Sequence, residues 1–147
     1  MHIAYLDDSR DPTTCIVSAL VIPVEEWRAT FQAIKGFRSE KKASDGLFTR
    51  KEWHATDFVS GRGRIADRVI SKTRRSEIFV ETLGLIAGMS PSGVRLFNAA
   101  FPRALELRAY ERTLNRINRT MKEWGTQAIL IWDEGKEGEH RRLARKM

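Results

Sequence analysis

Two pairs of acidic residues follow apolar stretches that lie far apart in the chain. Asp7 and Asp8 end the apolar run that opens the sequence, and Asp133 and Glu134 end a similar run further on. Both runs are short and bounded by turn residues, which predicts buried strands. If these strands are parallel neighbours, their acids meet at one sheet edge, where clustered carboxylates need a divalent cation to offset their repulsion. Carboxylate oxygens favour Mg²⁺ or Mn²⁺, and such ions can promote phosphodiester hydrolysis.

Each candidate ligand also has a purely structural explanation. Asp7 could brace the turn that follows the first strand, as aspartates often do. Glu52 could be a solvated strand residue, and Asp133 could belong to an ordinary strand exit. His54 is expected to be structural or to support a ligand, since the sequence has no paired-histidine zinc motif. The sequence also lacks a glycine-rich phosphate loop and a serine-nucleophile elbow, so residue spacing alone leaves both explanations open.

Composition narrows the class of protein. The 147 residues are 41% hydrophobic and 31% charged, which suits one globular domain with a real core. The single cysteine, Cys15, excludes a disulfide framework and favours a reducing, cytoplasmic setting. The sequence has no apolar run that could span a bilayer and no signal-peptide pattern, so no membrane association is expected. A net charge of +7 favours nucleic acid as the partner.

Periodicity and turn signals predict an α/β chain with an antiparallel hairpin at its start. The clearest helix follows Pro102, where apolar residues recur every three or four positions. The predicted elements are strands at 3–8 and 15–22, a helix at 24–37, a loop at 38–46, a possible strand at 47–55, a loop at 56–64, a helix at 65–87, a strand at 94–100, a helix at 102–125, a strand at 127–134 and a basic helix from 141.

Helical stripes predict the residues that face the core. The first helix has apolar residues at steps of four, three and three, namely Trp27, Phe31, Ile34 and Phe37. The helix after Pro102 carries Leu107, Tyr110, Leu114, Ile117, Met121 and Trp124. The helix at 65–87 carries Ile65, Val69, Thr73, Ser76, Phe79, Leu83 and Ile86. These stripes are expected to pack on the sheet.

Three acidic motifs resemble those of the bacterial and phage family called "domain of unknown function 3800". The motifs are Tyr5-Leu6-Asp7-Asp8-Ser9, then Lys51-Glu52-Trp53-His54-Ala55-Thr56-Asp57 with the following Gly61-Arg62-Gly63, and Ile129-Leu130-Ile131-Trp132-Asp133-Glu134-Gly135. The resemblance spans essentially the whole chain. It implies a single ribonuclease H-like domain over 1–147, with a mixed sheet, an N-terminal antiparallel hairpin and helices packed on the sheet.

The resemblance also implies a nuclease that uses Mg²⁺ or Mn²⁺. The implied catalytic metal ligands are Asp7, Glu52 and Asp133, with Asp8 and Glu134 as further ligands, and Ser9, His54 and Asp57 as residues that support the ligands or the substrate.

Three departures from the family pattern limit this expectation. Asp8 stands where the family usually has glutamate, and Arg10 replaces the usual glycine of the turn. The family also continues to a late aspartate that this chain lacks, which implies an N-terminal portion of a longer protein or a truncation. Without that acid, metal binding and cleavage are expected to be weak. Without the helix that bears it, exposed apolar surface favours a homodimer or low solubility.

Three functions remain open at this point. The first is a metal-dependent nuclease, in which the arginines of the glycine-containing loop, Arg62, Arg64 and Arg68, hold backbone phosphates. The second is a non-catalytic module on the same scaffold that binds nucleic acid or protein. The third is a glycosidase, which needs aromatic platforms beside its acids. Trp53 and Trp132 adjoin acids in sequence, but strand alternation turns them away from Glu52 and Asp133.

Overall fold

The computed structural model describes residues 1–132 and divides them into two compact units, one of 1–27 and 93–132 and one of 28–92. We call these unit 1 and unit 2. Unit 1 holds β1 (His2–Arg10), β2 (Thr14–Pro23), β3 (Arg95–Pro102), α4 (Glu106–Glu123) and β4 (Ala128–Trp132). Unit 2 holds α1 (Trp27–Asp45), whose first residue belongs to unit 1, α2 (Ala55–Ser60) and α3 (Lys72–Gly88). None of the described helices is both long and apolar enough to cross a bilayer.

Unit 1 is a mixed α/β structure built on a four-stranded sheet in the order β3-β2-β1-β4. β1 pairs with β2 in antiparallel fashion, with Leu6 opposite Ala19, so the predicted N-terminal hairpin is confirmed. β1 also pairs with β4 in parallel, with Leu6 opposite Trp132. β1, which contains the first acidic pair, and β4, which precedes the second, are therefore parallel neighbours, and this is the condition set by the sequence argument. Asp133 and Glu134 themselves lie outside the described residues.

The helix α4 covers one face of this sheet. It contributes buried Tyr110, Leu114, Ile117 and Met121, which confirms the centre of the predicted stripe. The strands contribute the other members of this core, which include Ala4, Leu6, Cys15, Val17, Ala19 and Val21. The prediction is wrong at both ends of the stripe, where Leu107 and Trp124 are exposed. Leu107 is the second residue of α4, and Trp124 follows its last residue, where the ring lies 5.3 Å from the His2 ring of β1 between centroids.

The acidic pair of β1 lies within the strand and not beyond its end. β1 continues to Arg10, because Arg10 still pairs with Cys15 of β2. Alternation then places Asp8 on the α4-facing side with buried Leu6, whereas Asp7 is exposed on the opposite side. The prediction that this strand ends at residue 8 with its acids at the rim is wrong, because β1 continues for two more residues.

In unit 2, the helix α1 extends to Asp45, so the prediction of a loop at 38–46 is wrong. Its polar last turns are stabilised by contacts that the local pattern does not show. Lys41 is buried and forms ion pairs with Glu81 and with Glu40 (2.8 Å). The Arg68 guanidinium donates hydrogen bonds to the terminal carbonyls of α1, including that of Asp45 (3.3 Å). The helix ends where Gly46 adopts a left-handed conformation (φ 75°).

The segment after α1 contains no strand in the described chain, so the predicted strand at 47–55 is wrong. Its backbone is held by scattered contacts instead of a ladder. The Phe48 N–H donates to the Ile65 carbonyl (3.0 Å), and Leu47 forms an isolated bridge with Ala66. The predicted loop at 56–64 is also partly wrong, since Ala55–Ser60 is the short helix α2, which Gly61 ends with φ 76°.

The helix predicted at 65–87 begins only at Lys72. The Ser71 hydroxyl accepts a hydrogen bond from the Arg74 N–H (3.2 Å) and so caps the new helix. The core of unit 2 contains Leu47, Phe58, Ala66, Ile70 and Ile78. Ile78 is the buried member of α3, although the predicted stripe did not include it. Ile65 and Val69 precede the Ser71 cap and are not helical. Because the predicted stripe was counted from them, it placed the buried face of α3 on the wrong residues.

An ion-pair network fixes the start of α3 against the end of α1. Arg74 donates to both carboxylate oxygens of Asp45, with Nε–Oδ1 2.8 Å and Nη2–Oδ2 3.0 Å. Arg74 also reaches Glu77 and Glu81 at 3.1 and 2.9 Å. The hydrogen bonds from Arg74 lower the pKa of Asp45 from 3.8 to about 2. This bidentate pair is therefore stronger than an ordinary surface contact.

We expect this pair to make unit 2 sensitive to acid. Because the folded-state pKa of Asp45 lies below the unfolded value, the stabilisation is complete above pH 3.8 and is lost as the pH falls towards 2. Asp45→Asn should lower the unfolding free energy at neutral pH by roughly 1–2 kcal/mol. It should also flatten the pH dependence between 4 and 2, measured by urea unfolding. Asp57→Asn is the control, since Asp57 forms an exposed pair with Arg62. Equal effects of the two variants would contradict the prediction.

Candidate functional site

The clearest polar group in unit 1 lies between β1 and the first turn of α4. One ligand atom each of Asp8, Cys15 and Glu106 falls within 4.8 Å of the others. Asp8 comes from β1, Cys15 from the start of β2, and Glu106 is the first residue of α4. Arg10 and Tyr110 complete this group, which we call the β1–α4 site.

Tyr110 orients Asp8 from the helix side. Its hydroxyl donates a hydrogen bond to Asp8 Oδ1 at 2.7 Å, across a sequence separation of 102 residues. Glu106 and Tyr110 are four positions apart, so they lie on the same face of α4 and both point towards β1. Burial of the phenol, together with its hydrogen bond to Asp8, raises the pKa of Tyr110. Tyr110 therefore remains protonated and acts as a donor at neutral pH.

Arg10 supplies a positive charge to both acids of the site. Its Nε forms an ion pair with Asp8 Oδ2, and its Nη1 lies 3.6 Å from Glu106 Oε2. The hydrogen bond to Asp8 raises the pKa of Arg10. The side chains of Asp8 and Glu106 are only 16% and 23% exposed, so their charges are poorly solvated without a cation. The Arg10 guanidinium therefore offsets the negative charge of both acids.

The turn after β1 is braced by Asp11 and not by Asp7. Asp11 Oδ1 accepts hydrogen bonds from the backbone N–H groups of Thr13 and Thr14, both at 2.7 Å. These hydrogen bonds lower the pKa of Asp11. Arg103 binds the same turn, because its N–H donates to the Thr13 carbonyl at 2.8 Å. Since Arg103 lies just before α4, this contact helps to place Glu106 beside Asp8.

Within unit 1, the structure places Asp7 and Asp8, two of the predicted acidic ligands, on opposite faces of β1. Asp7 faces away from α4, and its Oδ1 accepts a hydrogen bond from the Asp8 N–H at 2.9 Å. Glu52 belongs to unit 2, where its side chain is 75% exposed and lies 3.5 Å from His54 Nε2. Ser9 is exposed on the same face as Asp7. Asp133 and Glu134 are outside the described residues, so their predicted roles stay predictions.

The basic residues predicted to hold phosphates have mostly structural contacts. Arg62 Nε lies 3.2 Å from Asp57 Oδ1, in an exposed pair at the end of α2. The Arg68 side chain donates a hydrogen bond to the Asp45 carbonyl at the end of α1. Arg64 is exposed, and its guanidinium lies over the Phe48 ring at 5.6 Å from the ring centroid. Of these three arginines, Arg64 is best placed to meet a ligand.

Sequence reasoning missed Glu106, Cys15 and Arg10 as members of a site. Glu106 offered one signal, since an acid four positions before a stripe tyrosine must share its helix face. As a single cysteine, Cys15 argues against disulfides and a thiolate metal cluster and gives no other signal, and Arg10 stands out only as a departure from a family pattern. No local pattern shows that these residues meet, because three separate elements carry them.

Comparison with known proteins adds no family to this description. No protein-family model, curated protein or solved structure matches the chain at a significant level. The chemistry assigned to the β1–α4 site therefore depends on its own residues and geometry.

Proposed function

We propose that unit 1 is a ribonuclease H-like domain that hydrolyses phosphodiester bonds with the help of Mg²⁺ or Mn²⁺. The observation that carries this proposal is the convergence of Asp8 and Glu106 on one side of the sheet, with ligand atoms within 4.8 Å. The sheet supports the assignment, because it is mixed and begins with an antiparallel hairpin, and the resemblance implies both features.

The donor atoms of the site fit a hard divalent cation. Asp8 and Glu106 offer carboxylate oxygens, which suit Mg²⁺ and Mn²⁺. Cys15 is fully buried in the core beside Val17 and Ala109, and its sulfur suits softer metals. We therefore assign Cys15 to the core. A divalent ion bound here would polarise a phosphate oxygen and lower the pKa of a bound water.

We assign the β1 ligand to Asp8 in place of Asp7, because Asp8 shares the α4 side of the sheet with Glu106. Asp133 and Glu134 directly follow Trp132, the last residue of β4, and β4 is the parallel neighbour of β1. Their roles as further ligands stay predictions. Tyr110 holds Asp8 in position, and Arg10 offsets the negative charge when no metal is bound.

A second function is favoured by the position of Arg10. Because this guanidinium already contacts both acids, the site could be permanently neutralised. The domain would then bind nucleic acid without cutting it. The two functions differ in one property, since only the hydrolase requires a divalent ion at Asp8 and Glu106.

Titration calorimetry with Mn²⁺ separates the two functions. Asp8→Asn with Glu106→Gln should lower Mn²⁺ affinity at least tenfold, since both charged ligands are lost while the side-chain shapes are kept. Asp7→Asn with Glu52→Gln is the matched control, because it removes the same charge at two exposed positions. Cleavage of labelled DNA and RNA strands should fall in parallel with Mn²⁺ affinity. Unchanged affinity in the first double variant would exclude the proposed metal centre.

A further inference from the structure

Unit 2 has an open surface cavity of about 610 Å³, and no acidic side chain is among its lining residues. Its lining residues are basic, aromatic or hydroxylic: Lys42, Phe48, Thr49, Arg50 and Lys51. A volume of this size suits a ligand of a few hundred daltons, such as a nucleotide. These lining residues therefore favour an anionic ligand that also has a flat apolar group.

The cations of this cavity are not neutralised by the acids closest to them in sequence. Glu40 pairs with Lys41, Asp45 with Arg74, and Glu52 lies beside His54. Lys42 and Arg50 are exposed. Within residues 1–132, no carboxylate lies within ion-pair distance of Lys42, Arg50 or Lys51. Their charges are therefore available to an anionic ligand.

The backbone of the cavity wall is fixed in advance of binding. The Phe48 N–H donates to the Ile65 carbonyl (3.0 Å), and its carbonyl accepts from Trp53 Nε1 (3.0 Å). The Lys51 carbonyl accepts a hydrogen bond from Arg38. Lys51 Nζ donates to the Arg64 carbonyl at 2.7 Å. A wall held in this way loses little conformational entropy when a ligand binds.

Phe48 adds an aromatic surface next to the positive charges. Its ring is partly exposed, and the Arg64 guanidinium lies 5.6 Å from the ring centroid. Aromatic and guanidinium planes stack on unpaired bases, while lysines and arginines hold the backbone phosphates. This combination of groups is typical of single-strand binding.

We propose that this cavity is a binding site for single-stranded nucleic acid, with phosphates at Lys42, Arg50 and Lys51 and a base against Phe48. A duplex hides its base faces within the helical stack, so it would use the charges but not Phe48. The site belongs to unit 2 and needs no metal. It therefore goes beyond the proposed hydrolase, and either proposal can fail without the other.

Fluorescence anisotropy with labelled 12-nucleotide oligo(dT) and oligo(U) tests the proposal, in buffer that contains EDTA. Lys42→Glu with Arg50→Glu should weaken binding at least tenfold. The matched control is Arg112→Glu with Arg119→Glu, the same charge change at exposed positions of α4, and it should weaken binding less than threefold. The milder Lys42→Gln with Arg50→Gln should lower the slope of log affinity against log salt by roughly 1.4, about 0.7 per lost phosphate contact. Equal effects of the two charge reversals would overturn the site.

Competition identifies the class of anion. Phe48→Leu, checked for folding by circular dichroism, should weaken oligonucleotide binding but leave the affinity for inorganic polyphosphate unchanged. Duplex DNA should compete at least tenfold more weakly than the single strand. If polyphosphate or a duplex competes as well as the oligonucleotide, and Phe48→Leu has no effect, the site is a general anion site and the assignment to single strands is wrong.

Discussion

Replacing Arg10 with alanine is expected to raise the affinity of the chain for Mn²⁺ ten- to hundredfold. The Arg10 guanidinium now occupies the space beside Asp8 and Glu106, and a divalent ion must displace it before binding both carboxylates. A unit charge at about 4 Å contributes about 1 kcal/mol in water and about 4 kcal/mol in a partly buried site. Removing this competing charge while both carboxylates are kept therefore favours the binding of Mn²⁺. Titration calorimetry of the full chain measures the change directly.

Arg112→Ala provides the control for Arg10→Ala. Arg112 is exposed on α4, so its replacement changes the net charge equally without altering the β1–α4 site. The Arg10 variant should lose only a modest amount of stability, since one partner is 36% exposed and such pairs contribute roughly 0–1 kcal/mol. If neither variant binds Mn²⁺ more tightly than the original chain, Arg10 does not compete with a metal. The non-catalytic function would then be favoured.

Replacing Ile78 with alanine is expected to destabilise unit 2 by about 2–5 kcal/mol. Ile78 is fully buried on α3, within the core that contains Leu47, Phe58 and Ile70. Truncation removes apolar contacts and leaves a cavity that a small core cannot easily refill. A loss of this size is a large part of the 5–15 kcal/mol that stabilises most domains. Urea unfolding should show a lower midpoint, and hydrogen exchange should quicken in peptides from residues 28–92.

Val80→Ala is the matched control on the same helix. Val80 is 65% exposed, so its truncation should change stability by less than about 0.5 kcal/mol. The comparison also tests which face of α3 is buried, because the predicted stripe contained Phe79 and Leu83 but not Ile78. If Val80→Ala costs as much as Ile78→Ala, the buried face of α3 differs from the one described here.

Local pattern was sufficient for most of the sheet. Alternating and β-branched apolar residues predict β1, β2 and β4 to within a few positions, since strand burial follows directly from the period of two. The helix α4 was equally clear, because its stripe from Tyr110 to Met121 packs on a single surface. These elements bury their apolar faces against one core. The residues that the periodicity predicts to be buried are therefore the ones that the tertiary structure buries.

Unit 2 was predicted less well because its elements are short and depend on polar contacts. The end of α1 is held by Lys41 and Arg68, whose partners come from later segments. The segment at 47–55 alternates as a strand does, but no neighbouring strand is available to pair with it in the described chain. Helix and strand propensities are weak where such long-range contacts decide the outcome.

The sequence by itself determined that two apolar strands lead into acidic pairs and that the chain is basic. Only the tertiary structure decided which carboxylates meet. Strand alternation turns Asp7 away from α4, and the packing of α4 on the sheet brings Glu106 and Tyr110 to Asp8 from far along the chain. The physical reason is that periodicity specifies which face of an element is buried, whereas the position of that element along its neighbour depends on contacts between distant residues.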